Sequence, residues 1–332
     1  LLEYDFEEEK TRQFLRKHKP KRAAIQLPSG LRPQLPRILK NFEVGVEPVI
    51  MAGSCYGACD LADAEARQLG CDVLLHYGHS DMGLAARLPT LYVEARMLVN
   101  PTDAVEQAIP KIDFKRVGLL TTVQHIGHLN KVEELLRSRG LEPFVGDPGP
   151  RAKYPGQLLG CDFGCARSIA GKVDGFLYIG TGDFHPLGAA IATGKRVLAV
   201  DPVSGGSRWV SASVEKFLQK RKGMIASAAA GERLGVVEST KPGQARPDVS
   251  KELVKALRDA GRDVCLFVVN ELRPEELGDF KLDAIVCTAC PRISTDDAER
   301  FGIPILTPFE AKVMLGREKL EQYRPDEFSR KF

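Results

Sequence analysis

KRVGLLTTVQH (residues 115–125) runs into LNKVEELLRSRG (129–140), then LEPFVG (141–146), VDGFLYIGTG (173–182) and KRVLAVDP (195–202). A short β-branched run, a stretch of helical periodicity and three more short apolar runs are the signature of strands alternating with helices. The helical stretch ends on Gly140, which suits a left-handed cap. Such alternation indicates βαβ units in a parallel sheet covered on both faces. The same series occurs upstream as KRAAIQLPSG (21–30), LPRILKNF (35–42), VEPVIMAG (46–53), CDVLLHYGH (71–79) and LPTLYVEA (88–95). It occurs downstream as ERLGVVESTKPG (232–243), VSKELVKALRDAG (249–261), RDVCLFVVN (262–270), LDAIVCTAC (282–290) and IPILTPFEA (303–311), with Gly261 in the capping place. The chain therefore reads as one unit of about 100 residues repeated three times, each the size of a small domain.

The expected fold class is α/β: three tandem βαβ-type domains, each a small parallel sheet with flanking helices, arranged around a central site. The expected bounds are 1–110, 111–206 and 207–332, with the repeats themselves over roughly 20–100, 115–205 and 233–312. The last unit begins with a segment, 207–232, that reads as a long connecting helix. Its basic run Lys220, Arg221 and Lys222 reads as a solvated face.

Cysteines punctuate the repeats. Cys55 and Cys59 lie in VIMAGSCYGACD (49–60), Cys161 and Cys165 in QLLGCDFGCARS (157–168), and Cys287 and Cys290 in DAIVCTACPRIS (283–294). Each pair follows a predicted strand, and ligands of open parallel sheets bind beyond the carboxyl ends of strands. The first two pairs follow the second strand of their repeat and the third follows the third, so any shared site breaks the threefold pattern. The N-terminus, LLEYDFEEEKTRQFLRKHKPKR, is acidic and then basic, with no apolar signal core. The expectation is a soluble, cytoplasmic protein whose eight cysteines are free thiols or thiolate ligands, not disulfides. A hydrophobic share of 43% is globular, and a net charge of +3 gives no case for nucleic acid or a charged membrane. No apolar run approaches the roughly 18 residues of a membrane span. Thiolates suit zinc or iron–sulfur clusters. Spacing alone allows zinc, while three loops giving one cysteine each would leave one iron of a four-iron cluster open. Cys71 and Cys265, on or beside predicted strands, are expected to be packed core thiols.

YGACD (56–60), LGC (159–161), FHPLG (184–188) and CPR (290–292) together resemble the archaeal diphthamide-synthesis family, 2-(3-amino-3-carboxypropyl)histidine synthases, a non-standard radical S-adenosylmethionine (SAM) family. The resemblance runs through the whole chain. It implies one [4Fe–4S] cluster held by Cys59, Cys161 and Cys290, with Cys55, Cys165 and Cys287 outside the ligand set. It implies a transferase that moves a 3-amino-3-carboxypropyl group from SAM to carbon 2 of a histidine imidazole on translation elongation factor 2, by reductive cleavage of the S–Cγ bond. That is the first step of diphthamide synthesis. It further implies a homodimer, an unidentified electron donor, and no direct nucleic-acid or membrane partner.

SAM needs strand-end loops that approach the cluster closely. The candidates are Ser29 and Gly30 in PSG, Tyr56 and Gly57, Gly78 and His79 in YGHS, TVQH at 122–125, Gly180, Thr181 and Gly182, His185 in the matched motif, and Arg292 as a carboxylate partner. The GTG run is not a full GxGxxG, since position 185 is His, so no nicotinamide cofactor is expected. His76/His79 and His125/His128 have HxxH spacing but fall at strand ends; hydrogen bonding to SAM or a core role is the reading. Arg32, Arg37 and Lys40 read as a solvated helix face, with docking of the protein substrate as the alternative. Two other readings compete: a quinolinate-synthase-like [4Fe–4S] dehydratase, and a non-enzymatic zinc protein. FHPLG and CPR favour the diphthamide-synthesis reading over both.

Overall fold

The computed structural model describes residues 3–42 and 44–328. The first sheet is built from β1 (Arg22–Gln26), β2 (Glu47–Met51), β3 (Val73–Tyr77) and β4 (Thr90–Val93). The second holds β5 (Arg116–Thr121), β6 (Glu142–Val145), β7 (Gly175–Ile179), β8 (Val197–Val200) and β9 (Ser207–Trp209). The third holds β10 (Arg233–Ser239), β11 (Asp263–Val269), β12 (Ala284–Cys287) and β13 (Ile305–Leu306). Each sheet has the same order, second–first–third–fourth, and all of those pairings are parallel. This order reverses direction between the first and third strands, where open α/β sheets leave a crevice for ligands. The tripled α/β architecture expected from the repeats is what the chain adopts.

Each sheet is buried on both faces because its central strands are apolar throughout. Val73–Tyr77, Gly175–Ile179 and Ala284–Cys287 are buried at every residue. In the second sheet one face packs on Leu129, Val132 and Leu136 of the helix Leu129–Ser138, and the other on Ala166 and Ile169 of the helix Gly164–Ile169. Each such Leu, Ile or Val contributes about 1.5–3 kcal/mol. The helices of repeats two and three end as expected, with Gly140 and Gly261 at φ +78° and +81°.

One polar device recurs in all three units. The aspartate just before each third strand accepts from the backbone at the start of the first strand. Asp72 accepts from the Lys21 and Arg22 N–H groups at 2.7 and 3.0 Å, Asp174 from Arg116 at 3.0 Å, and Asp283 from Glu232 and Arg233 at 2.9 and 2.8 Å. Those backbone donors hold the Asp72 and Asp283 carboxyls below the usual carboxylate range, as the Arg116 side chain does first for Asp174. A depressed folded-state pKa gives stability that is present above the unfolded value of about 3.9 and lost as pH falls through the folded value. Asp72→Asn and Asp283→Asn are therefore expected to lower the melting temperature at neutral pH and to flatten its fall below about pH 4. An unchanged acid limb in a melting-temperature titration would count against this role.

Three expectations need correction. The segment 207–232 is not helical throughout: β9 first pairs antiparallel with β8, and the helix spans Ser211–Ala229. In that helix Arg221 is fully buried, not solvated, since Arg221, Ile225 and Ala228 recur at helical spacing on the face turned to the third sheet. Lys220 and Lys222 remain at the surface. Cys265 is exposed, whereas Cys71 is buried as expected. β11 is an edge strand, and the apolar layer over the face Cys265 shares begins only at Phe267.

Candidate metal and cofactor site

All eight cysteines are free. Cys59 lies in the loop between β2 and the helix Asp63–Gln68, Cys161 in the loop between β6 and the helix Gly164–Ile169, and Cys290 just after β12 at the start of the helix Pro291–Thr295. These three, one from each sheet, line a single cavity of about 250 Å³. Their neighbours in sequence do not. Cys165 is buried in the core of the second sheet, its thiol donating to the Gln157 carbonyl at 3.1 Å, and Cys287 is buried in the core of the third. Cys55 is buried beside the cavity and does not line it.

Burial pushes the Cys161 thiol up to about 12, with Cys59 as the next cause. Cys59 and Cys290 are likewise raised by burial, and Cys290 also by its proximity to Cys59 and Cys161. Three thiols this close and this desolvated carry an electrostatic cost as thiolates that a soft metal centre would remove. The surroundings are built to receive anionic sulfur. Gln244 donates to Cys59 Sγ at 3.5 Å and Arg151 to Cys161 Sγ at 3.8 Å. Arg151 also donates to the Gly243 carbonyl at 3.0 Å, and the Gly243 N–H donates to the Cys59 carbonyl at 3.0 Å. A Cβ at Gly243 would stand 2.4 Å from Cys59 Cα, so glycine is required there by close approach, and one at Gly57 would crowd Cys59 Sγ at 3.2 Å. The donor set fits an iron–sulfur cluster with three thiolate ligands.

Asp60 anchors the Cys59 loop. Its carboxylate receives Lys241 Nζ at 2.7 Å from the third repeat and Ser54 Oγ at 3.1 Å. The Lys241 ammonium sits 5.0 Å from the Tyr56 ring centroid. The two repeats are thus clamped together beside Cys59.

Of the sequence-predicted cofactor residues, Tyr56, Gly57, Gly78, His79, His185 and Arg292 line the same cavity, as do Thr122, Val123 and Gln124 of TVQH. Ser29, Gly30, Gly180, Thr181 and Gly182 are not among its lining residues. His185 lies near-parallel to Tyr178, 6.2 Å between ring centroids; burial and then the Arg292 cation push its pKa down to about 4. Arg292 stacks over the Phe184 ring at 4.8 Å and pairs with Asp296 at 2.9 Å. His76 is fully buried, with Nδ1 2.9 Å from Gln26 Oε1 and Nε2 3.0 Å from His79 Nδ1. His128 is turned away, its Nε2 3.3 Å from the Met97 carbonyl. Arg32 donates to the Ala52 and Gly53 carbonyls at 3.1 and 2.8 Å. Sequence reasoning missed Gln26, Arg151, Lys241, Gln244 and Gln157. Only KPGQ at 241–244 carried a usable signal: it follows a first strand where the first repeat has PSG.

The family described as "Putative diphthamide synthesis protein" matches residues 27–324. The chain is 40% identical to the 2-(3-amino-3-carboxypropyl)histidine synthase of Pyrococcus horikoshii, over 92% of this chain and 89% of that protein. It is 32% identical to subunit 1 of the Schizosaccharomyces pombe synthase, over 98% of this chain and 77% of that one. A crystal structure of Dph2 from Pyrococcus horikoshii with a 4Fe–4S cluster superposes with a TM-score of 0.92 at 37% identity, covering 98% of this chain and 94% of the other. By length, order and fold, this chain belongs to the diphthamide synthesis family.

Proposed function

We propose that the protein is the SAM-dependent transferase that places a 3-amino-3-carboxypropyl group on carbon 2 of a histidine imidazole of elongation factor 2, with Cys59, Cys161 and Cys290 holding a [4Fe–4S] cluster. The observation that carries this is the convergence of one thiol from each of the three repeats on one cavity, while Cys165 and Cys287 stay in the cores and Cys55 lies beside the cavity. When bound, such a cluster supplies one electron for breaking the S–Cγ bond and one open iron for the methionine part of SAM.

The rest is the work of the chain. Gly57 lets backbone approach the ligand, and Gly78 turns the chain at φ +88° against Pro28 at the cavity's edge. Arg292 is the partner assigned to the SAM carboxylate, its guanidinium carbon 4.8 Å from the Phe184 ring centroid. His185, neutral near pH 7, is a hydrogen-bonding wall. Arg151 and Gln244 hold two of the sulfurs by hydrogen bonds. Apolar lining such as Met82, Val123 and Leu158 limits water, which would quench a reactive carbon fragment.

Among the described residues no helix is long and apolar enough to cross a membrane. A cytoplasmic location, a homodimer and a separate electron donor complete the proposal. The edge strands β2 and β11 expose Ile50, Leu266 and Val268, which supports pairing with a second copy. The units 1–110, 111–206 and 207–332 are proposed as the domains.

Anaerobic incubation with dithionite and SAM is expected to give methylthioadenosine, and transfer to elongation factor 2 when that protein is added. 5′-Deoxyadenosine, or intact SAM, would overturn the reading; so would purified protein containing only zinc.

A further inference from the structure

We propose that His79 is the base that takes the proton released from the target imidazole, and that a buried hydrogen-bond chain from Gln26 through His76 sets its tautomer. This rests on the transferase reading above. In that reaction a C–S bond and the C2–H bond break and one C–C bond forms. The sulfonium charge is lost and one proton is released. The electron supplied for C–S cleavage would return to the oxidised iron–sulfur centre as the imidazole adduct loses its proton, so the net reaction is redox-neutral and consumes no further oxidant. The proton has to land on an atom inside the cavity.

The direction of the chain follows from its far end. Gln26 and His76 are register partners on β1 and β3. Gln26 Nε2 donates to two carbonyls, Asp60 at 2.6 Å and Ser54 at 3.2 Å. Its Oε1 is thereby fixed as the acceptor, and it receives the Ala62 N–H at 3.1 Å. His76 Nδ1, 2.9 Å from the same oxygen, must carry a hydrogen. His76 is fully buried and stays neutral, so its Nε2 has the lone pair. The His79 Nδ1 found 3.0 Å away is then the donor. His79 is left with a bare Nε2 on a ring that lines the same cavity as the cluster cysteines.

This is the arrangement of an oriented base: the ring lines the site, and its Nδ1 donates to a fixed acceptor that would stabilise the imidazolium. Burial keeps His79 neutral, with a pKa pushed down to about 4, so Nε2 is available at working pH. His185, the second imidazole on the cavity, faces the Arg292 cation, which opposes proton uptake. Cys55 brings a thiol within 4.8 Å of the two histidines, yet the His76–His79 hydrogen bond already uses the His76 lone pair a metal would need.

Two measurements test this. In the cluster-free protein, ¹⁵N NMR is expected to show His76 and His79 both in the Nδ1–H form, with His79 Nε2 unprotonated near pH 7. An Nε2–H tautomer at His79 would overturn the proposal. In the loaded enzyme, His79→Ala is expected to lower the groups transferred per methylthioadenosine formed by about 100-fold, and His76→Gln to lower the same ratio less. An unchanged ratio in His79→Ala would overturn it. So would one zinc per chain in the isolated protein that is lost in Cys55→Ala. A wild-type protein that forms no methylthioadenosine defeats the reaction itself, while the tautomer result stands or falls separately.

Discussion

Cys59→Ala, Cys161→Ala and Cys290→Ala are each expected to abolish the cluster's visible absorbance after anaerobic reconstitution, with iron falling from about four per chain to background. Cys55→Ala, Cys165→Ala, Cys287→Ala and Cys71→Ala are expected to keep it. Only the first three thiols open on the shared cavity; each comes from a different sheet, so none has a substitute on its own loop in the right place. Cys165 already spends its hydrogen on Gln157, and Cys287 sits among core side chains. Losing either sulfur removes packing worth roughly 1 kcal/mol, which lowers the melting temperature slightly and leaves iron binding intact. The contrast within each pair is the informative part. Three variants that keep their fold by circular dichroism but lose iron locate the ligands; retained absorbance in any one of them removes that cysteine from the set.

What could be read in advance follows from where the information lies. A strand such as Val73–Tyr77 or Ala284–Cys287 is written in consecutive residues, and three copies of the same order reinforce one another. The cysteine-bearing loops that meet at the cavity were legible for the same reason, because a cysteine just past an apolar run marks a strand's carboxyl end. The polar framework was not. Lys241 meets Asp60 across 181 positions and Gln244 meets Cys59 across 185, so neither has a local signature. Gln26 looked like one more strand residue; its role arises only because β1 and β3 are neighbours, which puts it beside His76. Cys265 was misplaced because an apolar strand at a sheet edge has the same sequence as one inside. Arg221 was hidden in a basic run, although Ile225 and Ala228 mark its face.

Arg221→Met is expected to destabilise the protein by about 3–5 kcal/mol, because it leaves Glu310 charged and buried without its cation. Both side chains are wholly inaccessible, and the guanidinium reaches Glu310 Oε1 and Oε2 at 2.6 and 2.5 Å. It also donates to the Ser294 and Ile305 carbonyls at 2.7 and 2.6 Å, which ties the connecting helix to the helix Pro291–Thr295 after Cys290 and to β13. Glu310 is shared further: it caps its own helix by accepting the Thr307 N–H at 2.8 Å, and it receives the Tyr323 hydroxyl at 2.7 Å. Removing the arginine therefore strands the glutamate and two backbone carbonyls at once. The double variant Arg221→Met/Glu310→Gln removes the uncompensated charge and is expected to recover part of the loss, since the amide oxygen can still accept from Thr307. Denaturant unfolding of the two single variants and the double gives the coupling energy directly. A cost below about 1 kcal/mol for Arg221→Met, typical of a solvated pair, would mean that this guanidinium is not buried in solution, and the connecting helix would have to be rotated on the third sheet.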